Sequence, residues 1–436
     1  VSGGGERGWF NLSASELYSH GINACRGRPS PNGAGCFTHE PDKDDYENTS
    51  GSARAGYRFD NGVDIEGNLL QADGVSKFDG TSVNSAKTTQ QVIGGKLRLA
   101  PLSDWDVTLR AGSAKDLADS FLEKQFKSRF DTTRVSASLQ NDIILARDHL
   151  LSAGFDYYQD MVDSSVRYAL NSRANKAGFL QYQAGVFGHD FVLAVRHDDN
   201  QQFGGYTTGS VGWGYSFGDP LRLTASWGNA FKAPTFNQLY FPGFGSPNIQ
   251  PEQSESYEVG ANGSLVGVHW SVNGYHTRID DLITFDPTTF RAANIAKAEI
   301  LGMETRVATQ ILGFDVAANL SLLDPVNRGA GSNHGNLLNR RAQQMARFDL
   351  DRNFGPLRCG LSVNQEGRRF DDLANKTRLS GFTTVDLRAG YEFYQDWTLE
   401  GRASNLLNEY YETAYLYNQP GVNLFLSLNY RPGTTR

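Results

Sequence analysis

Apolar and polar residues alternate along many short segments of this chain. The last of these segments places on one side Val422, Leu424, Leu426, Leu428 and Tyr430. The residues between them are mostly polar, and residues 384–393 repeat the pattern. Because side chains two positions apart on a strand share a face, each segment predicts a strand with one apolar and one polar face. No run approaches 18 consecutive apolar residues, which excludes a transmembrane helix.

The polar faces of these segments carry charged residues, and the pattern continues along the whole chain without a separate set of core helices. We therefore expect the polar faces to line a lumen, as they do in a transmembrane β-barrel. Hydrophobic residues make up 39% of the chain, below the roughly 45–50% of soluble proteins, while aromatic residues reach 12%. The predicted fold class is all-β, with residues 1–436 forming one antiparallel transmembrane barrel domain.

We predict about twenty strands. Their bounds lie near 8–18, 52–59, 63–72, 88–99, 105–113, 128–140, 148–160, 174–187, 190–198, 206–217, 221–229, 254–264, 268–279, 294–311, 314–323, 337–352, 357–365, 381–393, 398–407 and 421–430. Short turns, such as residues 61–62 and 218–220, alternate strictly with long connections, such as 19–51 and 230–253. Short periplasmic turns and long outer loops are typical of bacterial outer-membrane barrels, so both chain ends are expected on the periplasmic side.

Enzyme signatures are missing from the sequence. It contains no P-loop, no HExxH and no CxxC, and no G-x-S-x-G motif opens a helix. The net charge of −7 argues against nucleic acid as a partner. We therefore expect a membrane protein that has no catalytic residues.

Two motifs carry a specific resemblance. The first begins with Phe231-Lys232-Ala233-Pro234, continues through Leu239-Tyr240, and ends with Pro251-Glu252 before the next strand. The second is the run NLLNEYYE at residues 405–412. Together they resemble the barrel of TonB-dependent outer-membrane receptors. The resemblance implies energy-coupled nutrient uptake, in which the inner-membrane TonB complex remodels a plug domain inside the barrel.

Within that family the resemblance is strongest to cobalamin (vitamin B12) receptors, and it covers essentially the whole chain. The matching segments include residues 199–204, 281–283, 294–298, 302–304 and 367–372. The implied partners are cobalamin or another large nutrient, the TonB complex, outer-membrane lipid and lipopolysaccharide, and phage or bacteriocins. A siderophore receptor is the alternative within the family, and a passive porin-like channel is the alternative outside it.

Cys25 and Cys36 enclose a segment rich in glycine, proline and asparagine. In an oxidising compartment such a pair predicts a disulfide that closes a loop, and two free thiols are the alternative. Cys359 falls in a strand pattern and is expected to be a small buried side chain. His20 and His39 flank the cysteine loop, and we interpret both as exposed residues rather than metal ligands.

Acidic residues cluster in the same region, over residues 40–45. A solvated charged loop is one interpretation. The other is structural calcium, which takes 6–8 oxygen ligands and favours carboxylates that converge from flexible loops. The resemblance to cobalamin receptors supports calcium and implies four ligands, which are Asp42, Asp44, Asp73 and Asp79. Asn23 stands where the family often has an aspartate.

The resemblance also implies that substrate binds to outer loops near 19–51, 73–87, 230–253 and 280–293. Tyr240, Phe241 and Phe244 are the candidate ligand contacts, because aromatic rings could pack on the faces of a corrin. Interfacial girdle residues are the alternative. A family barrel has 22 strands, so the resemblance further predicts that the plug and the first two strands are supplied by residues outside this chain.

Overall fold

The computed structural model describes residues 1–29, 36, 38, 40–286 and 289–430; His39 therefore lies outside the described residues. Within them it contains 25 strands and one short helix. The strands are β1 (Ser2–Gly4), β2 (Gly8–Ser19), β3 (Tyr46–Arg58), β4 (Asp64–Lys77), β5 (Ser85–Leu102), β6 (Trp105–Leu122), β7 (Gln125–Ala146), β8 (His149–Ser164), β9 (Ser172–Val186), β10 (His189–Asn200), β11 (Gly204–Ser216), β12 (Arg222–Lys232), β13 (Glu252–Leu265), β14 (Val268–Asp286), β15 (Arg291–Ile311), β16 (Phe314–Asn327), β17 (Gln344–Phe354), β18 (Leu357–Glu366), β19 (Arg369–Phe370), β20 (Arg378–Leu379), β21 (Phe382–Tyr394), β22 (Trp397–Ser404), β23 (Glu412–Ala414), β24 (Tyr417–Asn418) and β25 (Asn423–Tyr430). The helix is α1 (Phe236–Tyr240), between β12 and β13.

Twenty-one of these strands belong to a single sheet, and the other four form two small hairpins, β19–β20 and β23–β24. Each of the twenty predicted strands corresponds to one long strand of the sheet, and the three-residue β1 is the addition. The all-β antiparallel fold class is therefore confirmed. No helix among the described residues is both long and apolar enough to cross a membrane.

The chain divides into two compact units, each assembled from separate segments. Unit 1 comprises Val1–Trp213, Trp227–Glu255 and Ile279–Ile295; unit 2 comprises Gly214–Ser226, Ser256–Arg278 and Ala296–Arg436. In unit 1, strands β1 to β10 pair in sequence order. In unit 2, the order of pairing is β15, β16, β17, β18, β21, β22 and β25.

Strand alternation separates charge from apolar surface within each unit. Ion pairs link neighbouring strands on the polar face, with N···O distances of 2.6 Å for Arg134–Asp160 in unit 1 and 2.7 Å for Arg402–Asp386 in unit 2. Large apolar side chains on the opposite face remain exposed, such as Leu387 at 47%. This pattern is the reverse of a soluble protein and is the one that a lipid-facing wall around a polar lumen requires.

The connections alternate in length less strictly than the sequence suggested. On the expected periplasmic side they contain two to five residues, but on the outer side β6 and β7 are joined only by Glu123 and Lys124. Both of these residues have positive φ, 49° and 67°, which is the backbone geometry of a two-residue hairpin turn. The sequence predicted that β6 ends at residue 113 and that β7 begins at residue 128, whereas β6 ends at Leu122 and β7 begins at Gln125. The predicted strands were too short because residues 114–127 lack the apolar alternation that marked the other strands.

Conventional hydrophobic cores occur at the outer ends of the strands and in the connections there. In unit 1, one cluster contains Val162, Tyr168 and Phe236, and a second contains Leu239, Ile249 and Ala292. The outer connections are therefore packed structures rather than solvated tethers.

A charge on the apolar face should be costly where a charge on the polar face is tolerated. Leu139 is 38% exposed on the apolar face of β7, and the preceding Ser138 lies opposite Asp156 on the polar face. We expect Leu139→Arg to lower the free energy of unfolding by about 2–4 kcal/mol, and Ser138→Arg by about 1 kcal/mol or less. Urea unfolding in lipid vesicles measures both. Equal losses would contradict this assignment of the two faces.

Candidate functional site

Two connections at the outer end of unit 1 lie against each other. They are the first outer loop, residues 20–45 between β2 and β3, and the second outer loop, residues 78–84 between β4 and β5. At the base of the pair, the Lys77 amide donates to the Asp45 carbonyl at 2.9 Å, and the Lys77 ammonium bonds the Asp45 carboxylate at 2.6 Å. These contacts hold the acidic part of the first loop beside the second.

Three carboxylates converge between these loops. Oxygens of Glu40, Asp42 and Asp79 all lie within 4.8 Å of one another. Both oxygens of Asp79 are buried and have no hydrogen-bond partner among the described residues. Burial raises the pKa of Asp79 to about 6, and the negative charges of Asp44, Glu40 and Asp42 add to the increase. An oxygen-only donor set with an unsatisfied buried carboxylate is a suitable site for a hard divalent cation such as calcium.

The predicted metal ligands are divided by the structure. Asp42 and Asp79 belong to the convergent group, and Asp44 lies close enough to raise the pKa of Asp79 while its Oδ2 accepts from the Ala24 amide at 2.9 Å. Asp73 does not join them. It lies on β4 and on the same face as the exposed Leu69, because an even number of residues separates the two. Its carboxylate accepts hydrogen bonds from Thr89 at 2.5 Å and from Gln71 at 2.9 Å.

Glu40 belongs to the convergent group although the family resemblance did not imply it as a ligand. The resemblance implied Asp73, but strand alternation fixes the face that the Asp73 side chain occupies, and that face is not where the group lies. Glu40 was visible in the sequence as the first member of the acidic run, two residues before Asp42.

A disulfide closes the tip of the first outer loop. Cys25 and Cys36 are bonded, with Cα atoms 5.7 Å apart, and both are almost fully buried at 3% and 2% exposure. The Arg28 amide donates to the Cys36 carbonyl at 3.0 Å. Residues 30–35, inside the closed loop, lie outside the described residues.

The connection from β12 to β13 contains α1, which begins with a capping box. Thr235 and Gln238 each bond the other's backbone N–H, which satisfies donors that a helix start leaves free. Tyr168 donates to the Asn237 side chain at 2.6 Å, and Gln202 donates to the Tyr240 hydroxyl at 2.6 Å. These bonds fix α1 against neighbouring connections.

The three candidate aromatic contacts have different surroundings. Phe241 is 43% exposed directly after α1. Tyr240 packs on the Leu239 cluster, and Phe244 packs on the same cluster and stacks on Phe285 at a centroid distance of 6.3 Å. Phe241 is therefore the most accessible of the three, whereas Tyr240 and Phe244 help to build the loop.

A cavity of about 680 Å³ lies beside α1 and was not predicted. Its lining combines Arg134 and Asp160 with Thr235, Phe236 and Asn237 of the α1 connection. The buried Arg173 also lines it and donates to the Pro234 carbonyl at 3.0 Å. A sequence pattern gives no sign of this role for Arg173, because it depends on contact with a connection about sixty residues away.

The comparison with protein families gives one match that spans most of the chain. The family model for the TonB dependent receptor-like β-barrel matches residues 5–406. The chain belongs to this family. It is consequently an outer-membrane β-barrel of a receptor and transporter family, not of an enzyme family.

Curated relatives of this receptor include transporters of vitamin B12. It is 28% identical over 455 residues to the vitamin B12 transporter BtuB of Photobacterium profundum, which covers 99% of this chain and 71% of the relative. It is 32% identical to BtuB of Vibrio vulnificus over 70% of this chain and 51% of the relative. The chain spans 59% of the length of the Vibrio cholerae relatives, at 27% identity.

Solved structures share the fold of the receptor. A point mutant of the ferric enterobactin receptor PfeA of Pseudomonas aeruginosa superposes with a TM-score of 0.80 at 13% identity, over 98% of this chain and 76% of that one. The siderophore receptor PirA of Acinetobacter baumannii gives 0.79 at 15% identity, over 98% and 75%. At these identities the similarity concerns the fold alone.

We expect Cys25 and Cys36 to be oxidised to each other in the receptor as isolated from membranes. Closing a loop with a sequence separation of 11 restricts the unfolded loop by about 3 kcal/mol in the chain-entropy model. Mass spectrometry of the unreduced, digested receptor should find one linked peptide pair, with Cys359 as the internal control for a free thiol. Recovery of all three cysteines as alkylated thiols would contradict the pairing.

The order of the second outer loop should depend on pH when no cation is bound. Because the native pKa of Asp79 is about 6 and the unfolded value is lower, ionisation destabilises the native loop, and stability falls as the pH rises through about 6. In chelator, we expect residues 78–84 to lose hydrogen-exchange protection between about pH 5 and about pH 7 after correction for intrinsic rates. Asp79→Asn should remove this loss and Asp73→Asn should retain it. Loss of the same size in Asp79→Asn would contradict the argument.

Proposed function

We propose that the receptor takes up cobalamin across the outer membrane in a TonB-dependent process, with the ligand bound by the outer loops. The observation that carries the proposal is the similarity to vitamin B12 transporters over 99% of the chain. The packed outer connections agree with it, because loops that are held in place by cores and hydrogen bonds lose less entropy when they bind a large ligand.

Calcium is proposed as the structural ion of the outer loops. Glu40, Asp42 and Asp79 would supply the oxygens, and Asp44 would add negative charge beside them. Without a cation, the repulsion among these carboxylates opposes the close approach of the two loops. A bound cation removes that repulsion and satisfies the buried oxygens of Asp79, so calcium would order the surface on which the ligand binds.

Phe241 is proposed as the aromatic contact with the ligand. A corrin is large and amphipathic, and the exposed ring of Phe241 offers apolar surface at the end of α1. Tyr240 and Phe244 would act indirectly, by holding the connection in the shape that presents Phe241.

We expect cobalamin to bind with an affinity that depends on calcium. Converting Asp42 and Asp44 together to asparagine should remove most of the cation affinity and weaken cobalamin binding by about tenfold or more, because the loops lose their order. Titration of the purified receptor with cobalamin, in calcium and in chelator, measures both effects. Asp73→Asn is the matched control and should bind as the native receptor does.

The roles of calcium, cobalamin and Phe241 are tested by different results. Equal affinity in calcium and in chelator would reject the calcium role and leave cobalamin in place. No binding of cobalamin in calcium, together with binding of a ferric siderophore, would reject cobalamin. Phe241→Ala should weaken binding in calcium without changing the cation affinity, and an unchanged cobalamin affinity would reject Phe241 as the contact.

A further inference from the structure

The apolar face of unit 2 contains a shallow groove of about 470 Å³ with an almost entirely apolar lining. Its floor is one row of paired residues that crosses four neighbouring strands. The row consists of Arg352 on β17, Cys359 on β18, Ala389 on β21 and Gly401 on β22. The rows on either side hold larger side chains, which include Leu350, Leu361 and Leu387 on one side and Phe354, Leu357 and Tyr391 on the other. The groove therefore follows from small side chains between two rows of large ones.

Arg352 marks one end of this groove. Its guanidinium carbon lies 4.5 Å from the ring centroid of Phe314 and 4.9 Å from that of Phe354. Arg347 and Arg388, on the polar face, bond carboxylates at 2.7 Å and 2.8 Å. Among the described residues, no carboxylate or hydrogen-bond acceptor pairs with the side chain of Arg352. It is a cation on the lipid-facing wall, held between two aromatic rings and open to an external anion.

The depth of Arg352 is that of lipid headgroups. It lies two residues before the end of β17, which leads into the short turn at residues 355–356. Short turns face the periplasm in this class of barrel, and aromatic residues mark the interface between hydrocarbon and water. The groove runs along the apolar wall, and Arg352 lies where a phosphate of the periplasmic leaflet would be.

We propose that this groove and Arg352 form a binding site for one phospholipid of the periplasmic leaflet. The phosphate accepts hydrogen bonds from the guanidinium fork, and an acyl chain fills the groove. Arginine suits this role because its planar donors match phosphate oxygens, and the flanking rings restrict its rotamers before the lipid binds. The proposal rests on the outer-membrane fold and is independent of cobalamin.

Unit 1 contains a comparable groove of about 520 Å³ that provides a control. It is lined by apolar side chains that include Leu97, Leu109 and Ala137. Two basic residues, Lys96 and Arg110, also line this groove, but their side chains point to the polar face. There Lys96 bonds Glu66 at 2.9 Å and Arg110 contacts Gln140 at 3.5 Å. Shape alone would make the two grooves equivalent lipid sites, whereas the proposal distinguishes them by Arg352.

The test is a native mass-spectrometry titration of the delipidated receptor in detergent with dimyristoyl phosphatidylglycerol. Dimyristoylglycerol, which lacks the phosphate, and inorganic phosphate, which lacks the chains, are the comparison probes. We expect one phosphatidylglycerol site, with about tenfold weaker binding of each comparison probe. Arg352→Gln should weaken phosphatidylglycerol about tenfold and leave dimyristoylglycerol unchanged. Ala389→Leu, which fills the groove, should weaken both lipids.

Ala137→Leu fills the control groove and should change neither affinity, and Arg352→Lys should recover part of the loss because it keeps the charge. Heat-modifiable migration on gels shows that each variant is folded. If Ala389→Leu fails to fold, Gly401→Ala makes the smaller change, with a new Cβ 3.3 Å from Leu426. Three results would overturn the proposal. They are native phosphatidylglycerol affinity in Arg352→Gln, equal losses of affinity in Ala137→Leu and Ala389→Leu, and tight binding of phosphate alone.

Discussion

Backbone N–H and C=O groups have no water to bind inside a hydrocarbon layer, and each unsatisfied group costs several kcal/mol there. The paired strands of both units satisfy these groups between neighbours, and the fixed register then leaves each side chain only two directions. Charge collects on one face as ion pairs such as Arg134–Asp160, and exposed leucines collect on the other. The apolar clusters that resemble the core of a soluble protein lie in the outer connections, where they hold those connections in one shape.

Those connections combine packing that favours one shape with charge that opposes it. Apolar clusters around Phe236 and Leu239 hold α1 in place, while Glu40, Asp42 and Asp79 repel one another between two loops that are joined nearby by Asp45 and Lys77. Apolar packing therefore stabilises the connection that contains α1, whereas charge repulsion destabilises the contact between the first and second outer loops.

The twenty long strands of the sheet and the all-β fold class could be predicted, because alternation over eight or more residues is a strong signal. The outer ends of β6 and β7 could not be predicted, because residues 114–127 lie beyond the apolar layer and do not alternate between apolar and polar side chains. In the candidate site, the family resemblance named Asp42 and Asp79, which converge in the structure, and Asp73, which strand register places outside that group. The stacking of Phe244 on Phe285 and the hydrogen bond from Arg173 to Pro234 could not be predicted, because each joins segments that are distant along the chain.

Cys359 has a consequence for the biogenesis of the chain. Thiol–disulfide exchange requires the attacking sulfur to reach the disulfide, and Cys359 lies on the apolar face of β18, which hydrocarbon covers. Once β18 is inserted, Cys359 cannot attack the bond between Cys25 and Cys36. Wrong pairing among the three cysteines is therefore confined to the interval before insertion, while the chain is still unfolded in the periplasm. The bilayer thus protects the loop disulfide from attack by Cys359.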